Sequence, residues 1–271
     1  MPELPEVETT RRCIRPYVVG RRVEQVIVRQ RALRWPVTKR LQREFRGQCI
    51  NSVDRRGKYL LFRTPAGTAI LHLGMSGSLR IVAATQRAGK HDHVDIVLEG
   101  GKSLRLRDPR RFGSLHWTRR EPLRHPLLAK LGPEPLLEEF NGDYLYEHSR
   151  SRKVAIKQYL MDGHTVAGFG NIYANESLFL AGIHPQHAAG RISRQRYDRL
   201  AKVMKQVLEE SLAKGGTTLQ DFINGDGNPG YFKQYLRVYG RAGQPCPACH
   251  APVRQRQQGQ RATFFCPRCQ H

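Results

Sequence analysis

From residue 23 to residue 117 the chain is a succession of short apolar runs that Gly and Pro keep interrupting, and this rhythm narrows the fold more than any other feature. The runs fall at 23–28, 59–62, 69–72, 79–82, 94–98, 103–106 and 114–117. They are too short for helices, and clusters such as Pro65-Ala66-Gly67 and Glu99-Gly100-Gly101 separate them. The expectation is a set of antiparallel hairpins packed as a sandwich or a barrel. One helix precedes them over 5–16, and beyond Gly132-Pro133-Glu134-Pro135 the text turns helical. Its clearest helix takes Ser193 as N-cap, carries Tyr197, Leu200, Met204, Val207, Leu208 and Leu212 on one stripe, and stops at Gly215-Gly216. The turn-rich Asp226-Gly227-Asn228-Pro229-Gly230 then leads to a terminal cysteine module. There is no internal repeat. The 271 residues allow one large domain or two domains with a small appendage. The change of character favours the second, divided as 1–131, 132–237 and 238–271.

Lys and Arg number 46 against 23 Asp and Glu, so the chain carries +23, scattered along its whole length. Such a surface expects a polyanion, with nucleic acid ahead of an anionic membrane because no apolar run of about 18 residues is present. The acidic start has no apolar core of a secretory signal, which points to a cytoplasmic, nucleoid-associated protein.

Four of the six cysteines form two CxxC knuckles, Cys246-Pro247-Ala248-Cys249 and Cys266-Pro267-Arg268-Cys269, with 16 residues between them. Each knuckle can turn two thiolates toward one metal, and the intervening hairpin closes a four-thiolate zinc site with no position left for water. One structural zinc is therefore expected, and a redox pair is the rival reading. The hairpin bears Arg254, Arg256 and Arg261, which reads as a phosphate grip or as a solvated basic hairpin. Arg261 is the favoured contact because Thr263-Phe264-Phe265 continues it as a strand. Cys13 and Cys49 read as ordinary buried thiols in a reducing compartment.

The chain starts Met1-Pro2-Glu3-Leu4-Pro5-Glu6. Removal of Met1 would free the secondary amine of Pro2. An α-amine titrates near 7.7–8.0 against about 10.4 for lysine, so far more of it is neutral and nucleophilic at pH 7. It can condense with an aldehyde to an iminium, which favours elimination at the neighbouring carbon, and Glu3 stands beside it to manage protons. The plain alternative is a favourable helix start, with Pro5 at the first turn and Glu6 and Glu8 on its positive end.

Met-Pro-Glu-Leu-Pro-Glu-Val-Glu at the start, His72-Leu73-Gly74-Met75-Ser76-Gly77, Asp108-Pro109-Arg110-Arg111-Phe112-Gly113, Gly170-Asn171-Ile172-Tyr173-Ala174-Asn175-Glu176 and the terminal ribbon together resemble the bacterial formamidopyrimidine-DNA glycosylases, in order and spacing from residue 1 to 271. The resemblance implies an α+β multidomain fold: an N-terminal β-sandwich with its N-terminal helix, a helix-two-turn-helix module and a four-cysteine zinc ribbon. It implies removal of oxidised purines followed by β,δ-elimination at the abasic site. Pro2 would be the nucleophile, Glu3 the general acid, Lys58 the residue of β-elimination and Arg261 that of δ-elimination. Met75 and Phe112 would wedge the opened stack, and Arg110 would face the orphaned base, where its fork suits the acceptors of cytosine. Without the resemblance, Met75 and Phe112 read as core, Arg110 as a partner of Asp108, and Lys58 as a surface cation. His91, Arg152, Lys157 and Asn171 match positions at or near the DNA backbone, and residues 217–222 match the start of a lid over the everted purine.

The expected partner is damaged double-stranded DNA, bound by a monomer that needs no membrane and no redox or organic cofactor. An endonuclease VIII-like pyrimidine glycosylase shares Pro2, Glu3 and the ribbon, but lacks a clear equivalent of the Met75, Arg110, Phe112 set. A non-catalytic zinc-ribbon DNA-binding protein would explain the charge and the cysteines, and would leave the intact Pro2-Glu3 start unexplained.

Overall fold

The computed structural model describes residues 2–217 and 232–271. The chain divides into two compact units, Met1–Ala129 with Lys214–Lys233, and Lys130–Ala213 with Gln234–His271. The turn-rich stretch at 226–230 and lid positions 218–222 lie outside the described residues.

The first unit opens with α1 (Leu4–Val18), two residues longer at its C-terminal end than the sequence suggests because Val18 is fully buried. Two four-stranded antiparallel sheets follow. One has the order β1 (Val23–Val28), β6 (Asp92–Leu98), β7 (Lys102–Arg107), β5 (Ser78–Ala83); the other runs β2 (Ser52–Arg56), β3 (Tyr59–Thr64), β4 (Gly67–His72), β8 (Ser114–Thr118). Val26, Ile96 and Leu104 from the first sheet and Val53, Phe62 and Leu71 from the second share one core with Val7 and Ile14 of α1. The two sheets are open and face to face, which decides for a sandwich over a barrel. Two elements escape the sequence reading. The helix α2 (Lys39–Phe45) buries only Leu41 and Phe45 and is capped by Thr38, whose hydroxyl accepts from the Leu41 N–H at 3.2 Å. Strand β2 has Val53 as its one apolar residue and is specified by its pairing with β3. Cys13 and Cys49 are half-buried, more accessible than expected, with Cys49 in a bridge to Arg22 at the rim.

The second unit contains α3 (Gly142–Ser149), α4 (Ile156–Met161), α5 (Asn171–Ala181) and α6 (Arg194–Ala213), then the hairpin β9 (Arg254–Gln258) and β10 (Arg261–Phe265). The Ser193 hydroxyl accepts from the Arg196 N–H at 3.4 Å, and the expected stripe of α6 is buried from Tyr197 to Leu208 while Leu212 is half-buried. The hairpin belongs to the same unit as the helices: Phe179 of α5 shares a core with Val238, Val253, Phe264 and the buried Cys246 and Cys266. Among the described residues no helix is long and apolar enough to cross a membrane.

Candidate active site and DNA interface

The first unit gathers three of the four expected catalytic residues, Pro2, Glu3 and Lys58, around the start of α1 and the tip of the β2–β3 hairpin. Pro2 is buried, and Glu3, 2 % exposed, is the N-cap of α1. Its backbone N–H donates to Glu6 Oε2 at 2.9 Å, while Glu6 Oε1 accepts from the N–H and the hydroxyl of Thr217, each at 2.8 Å. One carboxylate thus fixes the chain start and holds it to the residue where the expected lid begins. Lys58 occupies the second position of a two-residue turn, since Arg56 pairs with Tyr59. Gly57 precedes it at φ +56, a left-handed value that glycine adopts without strain. The Arg55 guanidinium closes this turn on the Gly57 carbonyl at 2.9 Å and reaches Glu8 of α1 at 3.3 Å, so the tip is tied to the helix that carries Pro2 and Glu3.

His72, which the sequence reading did not single out, stands beside this turn, its ring 4.8 Å from that of Tyr59. Its Nδ1 accepts from the Gly74 N–H at 2.9 Å, which leaves the proton on Nε2. Burial, and then the cations Lys58 and Arg34 and the ring of His116, pull its pKa down to about 4. A neutral donor therefore stands beside Lys58 and Arg34 at neutral pH. Its position at the head of the His72–Gly77 motif was the available signal.

Two loops form the expected reading surface. Met75 is half-buried, whereas Arg110 and Phe112 are exposed, with the guanidinium 4.9 Å from the Phe112 ring centre. Neither Phe112 nor Arg110 is a core residue, and Arg110 is not a partner of Asp108. The Asp108 carboxylate accepts instead from the Ser76 hydroxyl at 2.9 Å and the Gly113 N–H at 2.7 Å. His91 is half-buried, and its carbonyl accepts from the Asp108 N–H at 2.9 Å.

In the second unit, Lys157 is only 1 % exposed. Its ammonium donates to the Ala262 carbonyl at 2.9 Å and to the Thr263 hydroxyl at 2.7 Å. The Asn171 amide donates to the same Ala262 carbonyl at 3.1 Å, and Asn175 Oδ1 accepts from the Phe264 N–H at 2.7 Å. Lys157 is therefore turned onto the strand that begins with the exposed Arg261. Arg152 is exposed on the turn after α3, where its N–H bonds to Ser149. Glu176, fully buried, accepts three backbone N–H groups, from Arg237, Val238 and Tyr239 at 2.8–2.9 Å, although burial still raises its pKa.

The four thiol sulfurs of Cys246, Cys249, Cys266 and Cys269 lie within 4.8 Å of one another, with Cys246 to Cys269 at 3.9 Å and Cys249 to Cys266 at 3.4 Å. A tetrahedral zinc with bonds of about 2.3 Å requires sulfurs about 3.8 Å apart, so the donor set fits this ion. Such a site has no free coordination position and serves the hairpin alone.

Three family models match in succession: the formamidopyrimidine-DNA glycosylase N-terminal domain over residues 1–115, its H2TH domain over 131–223, and the zinc finger found in FPG and IleRS over 243–271. The formamidopyrimidine-DNA glycosylase of Nitrosococcus oceani is 56% identical over 271 residues, covering 100% of both chains. The crystal structure of the MutM (Fpg) protein from Thermus thermophilus superposes with a TM-score of 0.90 at 42% identity, covering 99% of this chain and 98% of that one. A complex between the Lactococcus lactis Fpg (MutM) and a Fapy-dG containing DNA gives a TM-score of 0.90 at 32% identity, covering 99% and 100%. Matched in succession by three models and over its whole length by such relatives, the chain belongs to the formamidopyrimidine-DNA glycosylase family of bifunctional DNA glycosylases and abasic-site lyases.

Proposed function

We propose that this chain excises oxidised purines, 8-oxoguanine and formamidopyrimidines, from duplex DNA through Pro2 and then cuts the strand on both sides of the sugar. The observation that carries this reading is the fixed, buried start of α1, where Glu3 caps the helix beside Pro2 and Glu6 holds its backbone. With Met1 removed, the Pro2 nitrogen attacks C1′, the glycosidic bond breaks, and the purine leaves with the bonding pair and takes up a proton in balance with the one the Pro2 nitrogen loses. Glu3 supplies the proton to the sugar ring oxygen as the ring opens to an iminium. The iminium withdraws electrons from C2′, Lys58 assists loss of a C2′ proton, and the 3′-phosphate departs in β-elimination. A second, δ-elimination releases the 5′-phosphate and is assisted by Arg261.

Met75, Arg110 and Phe112 hold the stack open while the damaged nucleotide is everted. Arg261 and Arg152 grip phosphates; His91, Lys157 and Asn171 lie at or near the DNA backbone, and the last two also hold the strand that presents Arg261. The zinc ion, when bound, fixes the four-cysteine hairpin. The three-part division at 131 and 237, a monomeric state, and a cytoplasmic, nucleoid-associated location complete this reading.

The test is borohydride trapping on an 8-oxoguanine duplex. Mature protein should give a covalent adduct; Pro2→Gly should lose most excision and trapping while keeping its zinc, because the ring directs the amine and a flexible primary amine does not. Protein shown by intact mass to retain Met1 has an amide at Pro2 and should neither trap nor cut. Normal cutting by that preparation refutes the proposal and moves the Schiff base to Lys58.

A further inference from the structure

We propose that Asp108 and Ser76 are positioning residues that join the two reading loops, one carrying Met75 and the other Arg110 and Phe112, into a single rigid insert. The inference rests on the function proposed above for those three side chains. Asp108 is 0% exposed and Ser76 5%, and among the described residues no cation pairs with the Asp108 carboxylate. A carboxylate removed from water without a counter-ion is costly unless its oxygens are bonded. Here both are: Oδ1 accepts from the Ser76 hydroxyl in the first loop, and Oδ2 from the Gly113 N–H that closes the second. Ser76 works in both directions, because its oxygen also accepts from the Arg110 N–H at 3.2 Å.

The backbone of Asp108 extends the network. Its carbonyl accepts from the Arg111 N–H at 3.2 Å and meets His93 Nε2 at 2.8 Å, and its N–H donates to the His91 carbonyl. Four of the expected DNA-contacting residues, Met75, His91, Arg110 and Phe112, therefore lie within two residues of a group bonded to Asp108, or are such a group themselves. The loops also touch directly: a Cβ at Gly74, whose φ is +68, would stand 2.4 Å from the Phe112 carbonyl carbon. Arg111 between the two exposed side chains is held at φ +56, an uncommon conformation for a non-glycine residue, and the Arg110 guanidinium and the Phe112 ring that flank it lie 4.9 Å apart.

A side chain that props open a base stack works against restacking, so its backbone has to resist being pushed back. Met75 and Arg110 would then enter DNA together, and a bond between their loops would transmit the fit of Arg110 with the opposite base to the opening of the lesion. Loss of that bond should leave all three side chains present and weaken their cooperation.

The decisive variant is Ser76→Ala, which deletes both links of the serine with almost no change in volume; Asp108→Asn is the second, since its amide turns one acceptor into a donor facing the Gly113 N–H. Single-turnover excision of 8-oxoguanine is measured opposite C and opposite A, with 2-aminopurine beside the lesion to report opening. Ser76→Ala should lower the preference for C over A by about five-fold or more, the size of one lost hydrogen bond in base discrimination, and slow the 2-aminopurine signal. In that background the effects of Met75→Ala and Arg110→Ala should multiply, whereas with Ser76 present the second substitution should cost less than the first. An unchanged preference, or an equal loss opposite both bases as a merely structural role would give, overturns the proposal. A wild-type chain that leaves 8-oxoguanine intact overturns instead the function on which it rests.

Discussion

Replacing Lys157 by methionine and, separately, Arg261 by alanine distinguishes a cation that touches DNA from one that holds the residue touching it. Each phosphate neutralised by a protein cation releases counter-ions and contributes about −0.9 to the slope of log K against log salt. Arg261→Ala should therefore make that slope shallower by about 0.9, so that raising salt from about 50 to about 200 mM costs roughly 3.5-fold less affinity than it costs the wild type. Lys157 is 1 % exposed with its ammonium on Ala262 and Thr263, so Lys157→Met should leave the slope within experimental error of wild type. Its effect should lie elsewhere. The Ala262 carbonyl keeps the Asn171 amide, and removing a buried ammonium recovers its desolvation, so the net loss of stability should be about 1–3 kcal/mol. With β10 less firmly seated, the ratio of δ- to β-elimination product on a pre-formed abasic site should fall in both variants. Fluorescence anisotropy titrations at four salt concentrations, with gel resolution of the two products, give both quantities. If Lys157→Met flattened the salt slope by the same 0.9 as Arg261→Ala, the buried ammonium would be a phosphate contact and the supporting role would be wrong.

Cys249→Ser should remove zinc and weaken duplex binding, because its sulfur lies 3.4 Å from that of Cys266 and three thiolates do not close the site; metal analysis beside a binding titration checks it, and full affinity in zinc-free protein refutes it. His72→Gln should flatten the acid dependence of stability. The folded pKa of about 4 lies below the ordinary 6.5, so the unfolded chain binds the extra proton as pH falls. The wild type keeps this contribution fully above about pH 6.5 and loses about 2–3 kcal/mol of it by about pH 4.5. Urea unfolding across that range should show the difference, and parallel pH profiles for the two proteins count against it.

The parts of this structure that were legible in sequence are those whose signal is local and repetitive. The strands at 23–28 and 94–98 have their own short apolar runs, and α6 has a buried stripe between a serine cap and a double glycine. Strand β2 has neither, since Ser52, Asp54, Arg55 and Arg56 surround one valine, and only its partner β3 makes it a strand. The helix α2 is similarly obscured by Lys39, Arg40, Arg43 and Glu44, and at seven residues it depends on tertiary packing for its existence. For the site, chemistry-bearing side chains stood out by motif, but their supports did not. Nothing in the spelling of residue 108 reveals that one of its oxygens is taken by another loop and the other by the end of its own, and nothing in residue 157 reveals that its partner lies about a hundred positions later.

Those hidden supports share a physical form. In the first unit a buried carboxylate, Asp108, and in the second a buried ammonium, Lys157, are each bonded to neutral hydroxyl and backbone groups beside exposed arginines. An apolar residue in either place would avoid the desolvation cost, so stability alone does not explain them. Apolar packing is also non-directional and tolerates sliding, whereas a charged group bonded to two fixed partners restrains the loop in orientation as well as position. The chain carries +23, and its exposed arginines repel one another until DNA arrives. Loops that bear such residues need restraints that do not depend on the ligand to be in place beforehand. Buried, directional bonds at Asp108 and Lys157 meet that need, and they do so without placing an exposed carboxylate where a phosphate must bind.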